Sequence, residues 1–253
     1  MLLNIIFIIF FFIILYILFD YSFNSILILS QDDLLNHLLH CPDDYYSKFN
    51  DIDFKVRNVN DLDEYKDKIK NSVCTPSNSI IHKLKKAIHI ADSKIKRISD
   101  KYNNSYYGID LNKLNNIRWK IGIVCNNNYE NGLPHTRHDV IIISSHNIYS
   151  HSLISLSTTL VHEKIHVYQK LYKDDCDLYL KNKNFKKFKK ITKSDNIRVN
   201  PDINNYTYID NKNRIYKAEY LPNAKTISDV RLYNNDQTFE HPLETMAIEI
   251  ANL

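Results

Sequence analysis

The chain of 253 residues is 44% hydrophobic and 25% charged, which supplies a buried core and excludes a wholly disordered protein. Its 33 basic and 29 acidic residues leave a net charge of +4, so charge alone does not indicate a nucleic-acid partner. Four cysteines without CxxC spacing argue against a zinc ribbon and allow one or two disulfides.

The first segment is apolar from Met1 to Phe19, with Asn4 as the one polar interruption. About 20 such residues span a bilayer as a helix, and neither a charged n-region nor a small-residue cleavage site marks a signal peptide. We therefore predict an uncleaved membrane anchor over residues 1–29. The even cysteine set and two N-glycosylation sequons favour a lumenal or external position for the rest of this single-pass protein.

Residues 30–77 are predicted to form a helical N-terminal region, in which Ser30 caps a first helix and Pro42 stops it. This region could cover a cleft as a propeptide. The next segment, from Ser79 to Ser99, has apolar residues at spacings of three and four, which predict an amphipathic helix. These residues are Ile80, Leu84, Ala87, Ile88, Ala91, Ile95 and Ile98.

Two β-rich runs, Ile117–Cys125 and Asp139–Ser144, flank a loop rich in Asn, Gly and Pro, and predict two strands of one sheet. Helical periodicity then returns from Ser150 to Tyr172. The order helix, strand, strand, helix predicts an α+β domain over residues 78–253, with a small sheet packed on the last of these helices.

That last helix contains the stretch LVHEKIHVYQK, Leu160–Lys170. Each helical residue advances by about 100°, so His162 and His166 stand one turn apart where two imidazoles can reach one ion. With Glu163 they form HExxH, in which two histidines hold zinc and the glutamate accepts a proton from the zinc-bound water. The pattern predicts Zn²⁺ as cofactor and peptide-bond hydrolysis with Glu163 as general base.

An apolar stripe beside the histidines would attach this helix to the core. Its members are Ile154, Val161, Ile165, Tyr168 and Tyr172. Gln169 and Tyr172 occupy the positions at which a metzincin has glycine and histidine, so that subclass is excluded. The alternative interpretation is an ordinary helix that carries two surface histidines.

A catalytic zinc takes a third protein ligand, and the closing segment EHPLETMA offers Glu240 and Glu244. Pro242 suits the first turn of a helix. We therefore prefer Glu244, inside that turn, over Glu240 in the preceding loop. Asp202, in the turn sequence RVNPD, is a further alternative.

On HEKIH and PLETMA the chain resembles the gluzincins, thermolysin-like zinc metallopeptidases in which a glutamate on a later helix completes HExxH. More loosely, LPHTRHDVIIIS, LVHEKIHVYQK, RVNPD and EHPLETMAIEIA are similar to uncharacterised zincin-like proteins of giant DNA viruses and some protists. The resemblance implies a zincin-like fold with a C-terminal subdomain and His162, His166 and Glu244 as ligands. Glu244 follows His166 by 78 positions, a longer separation than in thermolysin-like enzymes, and the usual asparagine before the ligand is absent.

What the resemblance implies is a membrane-anchored zinc metallopeptidase on a virion or a host endomembrane, acting on a peptide or protein. The alternative is an inactive zincin-shaped protein with a binding or structural role.

Asp139–Ser144 would be the sheet edge to which a substrate adds as a strand. The oxyanion could be steadied by His241, Tyr206 or Tyr208. Three histidines are expected to be solvated loop residues rather than ligands, namely His135, His138 and His146.

The basic run LKNKNFKKFKKITK spaces Phe185, Phe188 and Ile191 three apart, which predicts a helix with a solvated lysine face. Contact with an acidic surface, either phospholipid headgroups or nucleic acid, is the alternative. Nucleic acid is not the expected partner, because no DNA- or RNA-reading motif accompanies the lysines.

Overall fold

The computed structural model describes residues 26–41, 43–192, 195–199, 203–233 and 240–253. The helices in these ranges are α1 Gln31–His40, α2 Asp51–Lys55, α3 Leu62–Lys70, α4 Asn78–Lys101, α5 Leu111–Asn116, α6 Ser145–Ser150, α7 Leu153–Leu171, α8 Lys173–Asn182 and α9 Pro242–Ala251. The strands are β1 Ile26–Ile28, β2 Ser105–Tyr106, β3 Ile109–Asp110, β4 Trp119–Val124, β5 His135–Arg137, β6 Val140–Ser144, β7 Lys186–Lys190, β8 Tyr206–Ile209, β9 Ile215–Tyr216, β10 Ala218–Tyr220 and β11 Val230–Leu232. Short 3-10 turns lie at Tyr46–Lys48 and Tyr129–Gly132.

These elements make a mixed α+β architecture with small sheets. The predicted membrane anchor, Met1–Phe19, lies outside the described residues. Within the described ranges, no helix combines the length and apolarity needed to cross a bilayer. Residues 26–28, which belong to the range 1–29 assigned to the anchor, form β1 of the main sheet.

The main sheet has the strand order β1-β4-β6-β5. Strands β1, β4 and β6 are parallel, and β5 runs antiparallel to β6. The prediction that β4 and β6 share one sheet is confirmed. The prediction that Asp139–Ser144 forms the sheet edge is wrong, because β5 covers it. Strand β5 was not predicted because its three residues are too few to show the alternation of apolar and polar side chains by which a strand is recognised. All three of them are buried.

Both faces of this sheet are covered by helices, so its central strands have side chains buried on both sides. One face, with Ile121, Ile123 and Ile143, joins the cluster that contains α4 and α7. The other face, with Val140 and Ile142, packs against α1 and α3. The apolar face predicted for α4 is buried at Leu84, Ala87, Ile88, Ala91, Ile95 and Ile98.

The helical N-terminal region therefore forms a layer on the sheet. The side chain of Ser30 caps α1 as predicted, and Leu34 of that helix lies directly over Gly122. A disulfide joins Cys74 to Cys125 at the end of β4, and it encloses a separation of 51 residues. These attachments make the described residues of this region part of the packed domain.

The C-terminal part contains the antiparallel sheet β7-β8-β9 and the hairpin β10-β11. The prediction that the basic run continues as a helix is wrong, because α8 ends at Asn182 and Asn184 takes the left-handed φ of 60°. Phe185 packs against the core, Phe188 is exposed and Ile191 joins a separate small cluster. Of these three residues, only Phe188 lies in the bulged strand β7, and the three do not form one helical face.

The contact between Leu34 and Gly122 tests whether the N-terminal layer and the sheet form one packed unit. A Cβ at position 122 would lie 2.4 Å from Leu34 Cδ1 and 2.9 Å from Ile142 Cδ1. We expect Gly122→Ala to cost about 1–3 kcal/mol of unfolding free energy through overpacking. Leu34→Ala should cost about 2–5 kcal/mol by leaving a cavity.

Because the new methyl group would enter the space that Leu34 leaves, the double variant should lose less stability than the two single variants added together. Chemical unfolding of the full chain in all four forms measures this coupling. Strictly additive losses would show that the two sites do not touch.

Candidate metal centre

Helix α7 carries the HExxH sequence and is fixed by burial along most of its length. Its N-terminus is capped by Ser152, whose hydroxyl accepts a hydrogen bond from Ser155 N at 3.1 Å. Val161, Ile165 and Tyr168 of the predicted apolar stripe are completely buried. Ile154 is wrong as a member of that stripe, because it is 66% exposed and lies in the first turn, beyond the packed part of the helix.

Helix α9 begins at Pro242, as predicted, and packs against α7. The imidazole of His241 caps it, with Nδ1 accepting a hydrogen bond from Leu243 N at 3.1 Å. Ala247 and Ala251 are buried, and small residues at this spacing allow a close approach of two helices. Glu244 therefore stands in the first turn of α9, facing the two histidines of α7.

Three possible ligand atoms converge between these helices, and all lie within 4.8 Å of one another. His162 Nε2 is 3.0 Å from His166 Nε2. The two carboxylate oxygens of Glu244 are each 3.4 Å from one of these nitrogens. Ligand atoms about 2.0–2.1 Å from a tetrahedral zinc ion stand about 3.3 Å from each other, which is close to the distance between the two imidazole nitrogens and to that between each nitrogen and a carboxylate oxygen.

The side chain of Gln169 orients one of the imidazoles. Its Nε2 donates to the Leu243 carbonyl at 2.8 Å, which leaves its Oε1 as the acceptor. His166 Nδ1 lies 2.9 Å from that oxygen and therefore donates its proton to it. His166 Nε2 then faces Glu244 Oε1 at 3.4 Å, which is the orientation that a metal-binding histidine needs.

Glu244 keeps a negative charge in this environment. Burial raises the pKa of its carboxyl, but the neighbouring His166 and His162 outweigh burial and hold the pKa well below its usual range. One ionised carboxylate between two imidazoles attracts a cation, and His, His and Glu together are a ligand set typical of catalytic zinc.

Glu163 lies beside this group without belonging to it. Its side chain is buried, and Thr136 Oγ1 on the edge strand β5 donates to Glu163 Oε2 at 3.2 Å. A cavity of about 540 Å³ is lined by Glu163 and by all three possible ligands. A second cavity, of about 410 Å³, is also lined by His162 and Glu163. The side chain of Glu163 therefore borders both cavities.

Two ion pairs that the sequence did not indicate also line the larger cavity. Arg57 and Glu130, 73 positions apart, form a bidentate pair with distances of 2.8 to 3.1 Å, and both side chains are almost fully buried. Burial raises the pKa of Glu130, but Arg57 outweighs it and lowers that pKa to about 2. Arg198 pairs with Glu240 on another part of the wall, with Nε to Oε2 at 3.0 Å.

The alternative third ligands are placed differently from Glu244. Glu240 is held by Arg198 and is not part of the group of converging ligand atoms. Asp202 lies outside the described residues. Of the predicted loop histidines, His138 and His146 are exposed as expected. His135 is not solvated: it is buried in β5 and lines the larger cavity, with Nδ1 3.1 Å from the Leu133 carbonyl.

The three residues predicted to stabilise an oxyanion do not face the cavities at the site. His241 is buried, and its Nε2 lies 3.3 Å from Asn204 Oδ1. Burial lowers the pKa of His241 to about 3, so its imidazole is neutral. The hydroxyl of Tyr208 accepts from Asn204, and Tyr206 lies beside Lys187. None of the three side chains lines either cavity at the centre.

Comparison of the chain with protein-family models, with curated proteins and with solved structures finds no match. The interpretation of this site therefore rests on the geometry and chemistry of its own residues.

The buried pair Arg57–Glu130 should make stability depend on pH. The pKa of Glu130 is lowered from 4.5 to about 2 on folding, so its stabilising effect is complete above about pH 4.5 and disappears as pH falls toward 2. At pH 7 we expect Glu130→Gln to cost about 3 kcal/mol, measured as a shift in the urea midpoint.

At pH 3 most of this difference between wild type and Glu130→Gln should vanish. Asp100→Asn, at an exposed carboxylate 43 positions from Arg57, is the control and should change little at either pH. A constant difference between pH 3 and pH 7 would contradict the assignment.

Gln169 generates a separate prediction about metal affinity. Removing a group that orients a metal-binding histidine typically weakens binding 10- to 100-fold, so we expect a loss of about that size for Gln169→Ala. Zinc titration against a competing chelator measures it. Thr159→Ala, a half-buried position on the same helix, should leave the affinity unchanged. Equal affinities for wild type and Gln169→Ala would show that His166 needs no such support.

Proposed function

We propose that this protein is a membrane-anchored, zinc-dependent metallopeptidase. His162, His166 and Glu244 hold the zinc ion, and Glu163 is the general base. The observation that carries the proposal is the convergence of three ligand atoms from two helices, with a further buried carboxylate facing the same cavity. That combination fits hydrolysis better than simple metal storage, because three protein ligands leave a position open for water.

Several features of the fold support a zincin-like interpretation. The helix with HExxH runs beside a small sheet whose edge strand β5 is antiparallel to its neighbour. The third ligand, Glu244, comes from a later helix, after a C-terminal region of short sheets. An extended peptide could pair with β5, the edge strand, and would then pass the side chain of Glu163.

The residues present fit zinc. When bound, zinc lowers the pKa of a water molecule to about 7 and polarises a carbonyl oxygen. Glu163 would take a proton from the water molecule that attacks the carbonyl carbon of the scissile bond. As the carbon–nitrogen bond breaks, Glu163 passes the proton to the leaving amine. Thr136 holds the carboxylate in place throughout, through its hydrogen bond to Oε2.

Arg198, rather than His241, Tyr206 or Tyr208, is the residue that stabilises the oxyanion in this proposal. Its guanidinium lines the cavity, and its positive charge interacts with Glu244. Glu240 and the Ile227 carbonyl hold it in one orientation, with Nη1 to oxygen at 2.8 Å. A fixed positive charge on the cavity wall stabilises negative charge that develops on a substrate oxygen.

A membrane anchor formed by the apolar run Met1–Phe19, which precedes β1, and a lumenal or external location remain part of this proposal. The disulfide between Cys74 and Cys125 supports the location, because such bonds persist mainly in oxidising compartments.

Metal analysis of the purified full chain tests the zinc site. We expect about one equivalent of zinc in the wild type and near-complete loss in His162→Ala, His166→Ala and Glu244→Ala, since each removes one of three ligands. His146→Ala is the matched control, because His146 is exposed and outside the site. Less than half an equivalent in the wild type, or unchanged zinc in the ligand variants, would defeat the proposal.

Cleavage of a broad peptide library tests the reaction. Glu163→Gln should retain zinc and lose about 10²- to 10⁴-fold in rate, because it keeps the shape of the side chain but cannot accept the proton. Undiminished cleavage by this variant would exclude Glu163 as the base. A wild type that binds zinc and cleaves nothing would favour the inactive, binding or structural alternative.

A further inference from the structure

The strand β7, Lys186–Lys190, presents a basic surface with an apolar residue at its centre. All five residues are exposed, and within the described part of the chain β8 is the one strand that pairs with it. A bulge between Lys187 and Lys189 leaves Phe188 without a partner in the register, and its side chain is 56% exposed. The bulge therefore turns an aromatic ring outward between lysines.

The positive charge of this surface is largely uncompensated. Residues 178–194 include seven lysines and neither aspartate nor glutamate. Two of these lysines are paired, Lys183 with Glu249 at 3.0 Å and Lys189 with Asp195 at 2.7 Å. Lys181, Lys186 and Lys190 have no ion-pair partner among the residues that the structure describes. The surface is therefore suited to an extended anionic partner.

A small cavity of about 330 Å³ adjoins the strand and adds a site for a single anionic group. Lys181, Lys186 and Lys187 line it, together with the rings of Phe185 and Tyr208. Asp177 is the one carboxylate among its lining residues within the described chain. Clustered lysines near a membrane surface attract anionic lipid headgroups.

Protection of a sheet edge explains only part of this arrangement. Lysines and a bulge on an edge strand prevent pairing with another chain, and β7 has both. An exposed phenylalanine has the opposite effect, because it adds an apolar contact at the point that the lysines protect. A ring flanked by lysines is instead typical of surfaces that enter the boundary between lipid headgroups and acyl chains.

We propose that β7 and the adjoining lysine-lined cavity dock the domain on an anionic phospholipid surface. Phe188 enters the apolar boundary, and the lysines contact the headgroups. Single-stranded nucleic acid fits less well, because its bases need a series of exposed rings on which to stack, and Phe185 is already packed against Tyr216. This proposal does not depend on the metallopeptidase activity.

The full chain is reconstituted into vesicles of phosphatidylcholine alone or with about one third phosphatidylserine. Phe188→Trp serves as the probe, and acyl chains carrying bromine quench a tryptophan that enters the bilayer. The natural Trp119 is buried and gives a constant background, which the wild type measures. We expect quenching of the new tryptophan to rise about twofold or more in the anionic vesicles and to fall again at high salt.

Tyr149→Trp is the matched control, because Tyr149 is 76% exposed but lies on α6, outside the basic strand. Its quenching should not respond to phosphatidylserine. Adding Lys186→Glu and Lys190→Glu to Phe188→Trp should abolish the response, because each lysine near an anionic surface contributes about fivefold in binding.

Two results would overturn the proposal. One is equal quenching of the tryptophan at 188 in neutral and anionic vesicles, which would mean that contact with anionic lipid has no role. The other is tryptophan quenching that does not respond to phosphatidylserine, combined with weaker binding of a labelled single-stranded oligonucleotide when Lys186→Glu and Lys190→Glu are introduced together. That second result would assign the surface to nucleic acid.

Discussion

The close packing of α9 on α7 is the constraint on which the candidate site depends. The two helices are far apart in sequence, and neither holds a complete set of metal ligands. Buried alanines at 247 and 251 let the helices approach, and Gln169 fixes their register through Leu243. The same amide directs the imidazole of His166 toward Glu244. One side chain thus couples the position of a helix to the orientation of a ligand, which is how an outer contact tunes a metal site.

The cavity in front of the site is built from both ends of the chain. Arg57 from the N-terminal layer meets Glu130, whose backbone has the left-handed φ of 48°. A non-glycine residue in this conformation costs free energy unless its surroundings hold it there, and Arg57 and Tyr65 both bind its carboxylate. The N-terminal layer is therefore needed to shape the site, although it contributes no ligand to the converging group.

Features set by local spacing could be read from the sequence. The turn between His162 and His166, the buried face of α4 and the start of α9 at Pro242 all follow from the helical repeat or from proline geometry. Glu244 could be preferred over Glu240 for the same reason. Features set by tertiary contact could not be predicted from the sequence. The partners Arg57 and Glu130 are 73 positions apart, and β5 is only three residues long. The apolar residues in and beside β7 have a spacing of three that is typical of a helix, although β7 is a bulged strand.

The disulfide between Cys74 and Cys125 closes a loop that contains α4, α5 and the strands β2, β3 and β4. Any single backbone break inside this loop leaves two fragments that remain covalently joined, with their buried faces still held against α7. A protein that shares its compartment with peptidases, or is one itself, can then be nicked there without separating into pieces. Damage of this kind would become visible by electrophoresis only after a reducing agent has opened the crosslink.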